Sequence, residues 1–138
     1  MRRRYFLDIM NKKAIYLVGN YMVSKDAMPF KIKPFLQKTF PRIRFIPFDP
    51  TEDFPEDPRP IFIDTAINLV SPRLFTSIRE FEPFLTHGLS VHNFDFYTEL
   101  ALREKLASGD QYAIIGVPPD GDLNEIAQNV VKLLASLI

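Results

Sequence analysis

Three short apolar runs are spread along the chain, and each stops abruptly at a turn signal or a carboxylate. Ala14-Ile15-Tyr16-Leu17-Val18 ends at Gly19-Asn20, Ile61-Phe62-Ile63 ends at Asp64, and the segment 111–117 ends at Pro118-Pro119. Continuous rather than alternating runs of this length read as strands buried on both faces, the pattern of a parallel sheet covered by helices. Helical patterns lie between and after them. Pro29 and Pro34 are tolerated best near a helix start, so the first helix is expected to begin late, near Lys31 to Lys33, with Phe35, Leu36 and Phe40 as its buried stripe. A second helix, capped by Asn93 or Asp95, runs to about Ser108, pairs Glu99 with Arg103 at i,i+4 and ends on Gly109. A third is capped by Asp122, with Glu125 at the capping-box position and an apolar stripe through Ile126, Val130 and Leu134. Segment 42–48 alternates and contains Pro47, as an edge strand does. Segment 49–60, rich in proline and acids, reads as a loop, and 74–78 as a weak further strand. Strands alternating with helices predict a three-layer α/β/α sandwich with a mostly parallel twisted sheet of about five strands.

At 138 residues the chain is one domain's worth, and 14–138 is expected to be that single domain. Residues 1–13 form an N-terminal extension for which disorder is expected, and Met10 is an alternative start. Arg3-Arg4-Tyr5-Phe6-Leu7 resembles a twin-arginine export signal, but Asp8, Asn11, Lys12 and Lys13 interrupt every apolar stretch that export would need. No run approaches the roughly 20 apolar residues of a membrane span, so a cytoplasmic protein is expected. Formal net charge is zero, which removes the overall field that attracts nucleic acid or an anionic membrane; neither is an expected partner. Cysteine is absent, excluding disulfides, thiolate metal sites and thiol nucleophiles. The neutral total is uneven, with 11 Lys/Arg against 3 Asp/Glu in residues 1–50, a split that solvation of one helix and a frayed end explains and that an acidic partner's docking face also fits.

Three polar residues interrupt the apolar pattern at strand ends or helix starts. Asp26 lies in the loop after the first strand, Asp64 closes the second buried strand, and His92 lies just before a helix. In a parallel sheet these loops open on one edge, where ligands of such folds bind. Two carboxylates and one imidazole there suit a divalent transition metal, and a helix N-terminus beside His92 keeps its ring neutral. Each residue also has a plain reading: Asp64 as a turn cap, Asp26 as the cap of the first helix, His92 as a surface histidine. Other chemistries lack their motifs. GNYMVSKD has no GxxxxGK[ST] arrangement, and a Ser24–His92–Asp64 triad lacks the GxSxG elbow, which leaves a small-molecule hydrolase as an alternative.

Four segments in order carry a resemblance. IYLVGNYMVSKDA is a strand, then Gly-Asn, then an acid six positions on; IFIDTA is a strand ending in Asp; SVHNFDFYTEL is Ser-x-His leading into a helix; YAIIGVPPD is a late strand with a Gly-x-x-Pro turn. From Ala14 to the C-terminus the chain resembles the hydrogenase maturation endopeptidases, which clip the C-terminal extension from the [NiFe] hydrogenase large-subunit precursor after nickel insertion. The resemblance implies a phosphorylase/hydrolase-like α/β sandwich. It also implies that Asp26, Asp64 and His92 contact the metal, most simply nickel supplied by the substrate, with no side-chain nucleophile. Gly19 and Asn20 would shape the substrate-binding loop, and Asp49 matches the aspartate of the family's Asp-Gly-Gly-Thr turn. The chain departs from the family at that turn, which reads FDPTED, and at Lys25, which stands where a second acid is usual. These departures motivate the other alternative, a non-catalytic member that binds a metal or a protein partner.

Overall fold

The computed structural model describes residues 14–20, 22–49, 54–85, 91–106 and 112–137, and the side chains of all of these except 91–94. The N-terminal extension and the Gly109 cap lie outside the described residues. Five strands form one sheet: β1 (Ala14–Val18), β2 (Arg44–Phe48), β3 (Ile61–Thr65), β4 (Arg73–Phe75) and β5 (Ala113–Val117). Their spatial order is β2-β1-β3-β5-β4, with the first four parallel and β4 antiparallel to β5. The mostly parallel α/β sandwich expected from the strand pattern is the fold observed. Every residue of β3 and β5 is buried, which is why β5 and the Ile61-Phe62-Ile63 run of β3 are apolar, while β2 alternates because it is an edge. Pro47 sits on that edge, where its missing N–H removes no ladder bond on the open side.

Four α-helices accompany the sheet among the described residues: α1 (Met28–Thr39), α2 (Ile78–Phe81), α3 (Val91–Leu106) and α4 (Leu123–Ser136). Side chains alternate across each strand, so one face carries Ile15, Leu17, Ile63 and Ile115 against α1 and α4. The other carries Val18, Phe62 and Ile114 against α2 and α3. This second core is aromatic: Phe62 is fully buried, with Phe96 at 4.9 Å and Phe48 and Phe54 both at 5.6 Å between ring centroids. Arg103 lies 3.8 Å over the Phe54 ring and pairs with Glu99 at 3.2 Å, holding the 54–60 loop on α3. Among the described residues no helix is long and apolar enough to cross a membrane.

Three expectations about boundaries are corrected. α1 starts at Met28, not near Lys31, because Pro29 occupies the first turn, where no N–H is needed. Its buried line runs 28–32–36 and on to Phe40 at the C-cap; Phe35 is one position off that line and 38% exposed. α3 begins at Val91, so His92 lies within its first turn and not before it. Asp122 caps α4 as expected, its Oδ1 accepting from the Glu125 N–H at 3.0 Å.

Candidate functional site

β1 and β3 are neighbours, with Leu17 opposite Ile63, so the loop after β1 opens beside Asp64. That loop is wound tightly on itself. Gly19 has φ +130°, and a Cβ there would lie 2.4 Å from the Asp26 carbonyl oxygen and 3.1 Å from its Oδ1. The Asn20 backbone N–H donates to Asp26 Oδ2 at 2.9 Å, and Asn20 Oδ1 accepts from the Met22 N–H at 2.9 Å. Ser24–Asp26 form a 3-10 turn packed against β3. Asp26 is therefore not the cap of α1: the cap position is Ala27, with no side-chain bond, and the Asp26 carboxylate reaches back to the end of β1 instead.

Asp64 shares its strand face with Phe62 and is 1% exposed. Its Oδ2 accepts from the Tyr97 hydroxyl at 2.7 Å, and the Thr65 N–H supplies a backbone donor. Burial pushes the Asp64 carboxyl up to about 7, against the pull of the Tyr97 hydroxyl; the negative charge of Asp26 adds to the rise, and the Thr65 N–H opposes it. Tyr97 is held well above the ordinary phenol range by burial and then by Asp64, and Asp26 contributes there too. The Asp26 carboxyl is itself raised by burial, with the Asn20 N–H opposing. The charge of Asp26 thus reaches Asp64 at the carboxyl edge of β1 and β3, and the plain reading of Asp26 as the cap of α1 does not describe it.

His92 lies on the helix that supplies Tyr97. Five residues separate them, about 7.5 Å along the axis of α3. The His92 imidazole lies outside the described side chains, and among the described residues no three ligand-type groups come together. The route to α3 differs from the expected one. β4 runs antiparallel and leaves from the opposite edge, and the chain returns through α2 and the 3-10 turn Glu82–Phe84, where the Phe84 carbonyl accepts from the Asn68 N–H at 3.1 Å. Asp49 follows β2 at the same edge and is exposed; it is not among the groups that set the ionisation of Asp64.

Tyr97 was not among the residues singled out from sequence. Its one signal is a hydroxyl on the otherwise apolar Phe96-Tyr97…Leu100 face, which is the usual pattern of a core aromatic. The chemistry of the donor set fits a divalent ion: the charge of Asp26 raises the proton affinity of Asp64, and a cation beside them would offset both that repulsion and the cost of burying Asp64 ionised. Beside the Asp26 turn lies an open groove of about 700 Å³, lined by Ser24 and Lys25 of that turn, by Leu69 and Val70, and by Pro118 and Asp120. No family model, no curated protein and no solved structure matches this chain.

Proposed function

We propose that this protein is a cytoplasmic, metal-dependent endopeptidase of the hydrogenase maturation type, which removes the C-terminal extension of a nickel-loaded large-subunit precursor. The observation that supports the reading is that the charge of Asp26 reaches the buried Asp64 carboxyl at the carboxyl edge of the sheet, Asp64 held by Tyr97 and Asp26 fixed by the Asn20 N–H. Asp26, Asp64 and His92 would hold the nickel that arrives with the substrate, and the metal would polarise the scissile carbonyl or a bound water. Gly19 and Asn20 keep Asp26 in place, and Tyr97 orients Asp64, which fits a reaction needing no side-chain nucleophile.

Mixing the full chain with the nickel-loaded precursor and weighing the products by mass spectrometry tests this. The expected result is loss of the C-terminal segment. Asp26→Ala is expected to slow cleavage by more than about 100-fold, beyond the 10–100-fold typical of residues that only support a metal ligand. A folded chain that leaves a verified nickel-loaded precursor intact contradicts the endopeptidase, and nickel binding in that same sample would identify a non-catalytic binder.

A further inference from the structure

The loops after β1, β3 and β5 frame the groove beside the Asp26 turn, and its volume of about 700 Å³ falls within the range of about 300–1,000 Å³ common to ligand sites. Leu69 and Pro118 on its lining are buried, while Val70 is 95% exposed, and on the β1 loop Met22 and Val23 are 79% and 49% exposed. Val70 stands exposed on the lining itself, and Met22 and Val23 lie on the same β1 loop that brings Lys25 to the groove. The charges of the groove are sorted. Lys25 and Lys31, both exposed, come from the Asp26 turn and from α1, and Asp120 comes from the loop after β5.

From this arrangement we infer that the groove takes an extended peptide segment bearing a carboxylate, which sits on Lys25 and Lys31 while flanking apolar side chains cover Leu69, Val70 and Pro118. Asp120 repels a second acid and fixes which way the segment lies. An open groove with an apolar rim suits a stretch of polymer rather than a small anion, which needs converging donors in an enclosed site. The identity of the segment as the precursor's C-terminal extension rests on the proposed endopeptidase reading, with Lys25 of the groove directly preceding Asp26 in one turn. Lys25 is then a selector of acidic substrates in place of an acid.

Fluorescence anisotropy with the full chain tests the groove without any cleavage. The probes are two labelled hexapeptides, one alternating Leu with Glu and the other alternating Leu with Lys. The wild type is expected to bind the Glu peptide at least about ten-fold tighter, and K25E/K31E to reverse the order, with both preferences shrinking as salt rises from about 0.05 to 0.5 M. Both lysines are exposed, and an unchanged thermal melt verifies that the double variant folds. A preference that survives K25E/K31E overturns the inference. Displacement of the peptide by inorganic phosphate, but not by chloride at equal ionic strength, makes the groove a small-anion site and overturns it as well. Reversal of the peptide preference by a chain that cuts no precursor upholds the groove and removes the endopeptidase. Cleavage of the precursor by K25E/K31E at the wild-type rate removes only the groove.

Discussion

Asp64→Asn is expected to be more stable than the wild type above pH 7 and no more stable below pH 4. Burial raises the Asp64 carboxyl to about 7, against about 3.9 for an aspartate in an unfolded chain. Between these values the folded protein holds a proton that the unfolded chain has released. The contribution of Asp64 to stability therefore falls as pH rises from about 4 to about 7, and stays low above that. The interval of about three pH units corresponds to a ceiling of about 4 kcal/mol. Asparagine has the same shape, keeps an oxygen for the Tyr97 hydroxyl and carries no charge, so it removes this cost. Thermal melts of both proteins from pH 4 to 9 give the difference directly, and titrating groups remote from Asp64 cancel between them. Saturating nickel should narrow this gap: an ion at 100 times its Kd adds about 2.7 kcal/mol to the wild type, against the ceiling of about 4, and little to a variant lacking a ligand. A variant less stable than the wild type at pH 8 without metal would contradict the account of Asp64 as an acid kept at a cost to the fold.

Gly19→Ala is expected to lose both stability and metal binding, because backbone and site are one structure there. The new Cβ would stand 2.4 Å from the Asp26 carbonyl oxygen, a backbone atom that moves only with the whole turn, and φ +130° is strained for any L side chain. Strain and displacement together should cost about 2–4 kcal/mol in urea melts. The Asn20 N–H to Asp26 Oδ2 bond goes with the turn, so nickel affinity falls with stability. Gly121→Ala is the control: φ is +133°, but the nearest atom is the end of the Ile126 side chain at 3.2 Å, and the position lies on the loop before α4. It should cost stability and leave nickel binding intact. Equal nickel affinity in Gly19→Ala and the wild type would detach the loop from the site.

The central strands were legible in the residue pattern because burial on both faces makes β1 and β5, and β3 up to Ile63, continuous apolar runs. Asp122 was legible because a capping bond is local, between residues three apart. β4 was legible only as a weak strand at 74–78, set too late because Ile78 opens α2, and nothing within its three residues says that the strand runs backwards. The start of α1 was hidden by a cap, Ala27, that makes no side-chain bond. At the site, the meeting of Asp26 and Asp64 followed from topology alone, since parallel neighbours bring their loops to one edge. The means of holding them did not. Tyr97 bonds to a residue 33 positions away, and Asp26 turns back to Asn20 when its position suggested a helix cap.

Anomalous diffraction from a crystal soaked in nickel tests the central claim most directly. The account predicts a single peak at the carboxyl edge of the sheet, about 2 Å from an oxygen of Asp26, an oxygen of Asp64 and a ring nitrogen of His92. A peak bound elsewhere, or an ordered His92 ring facing away from two acids with no nickel between them, would contradict it.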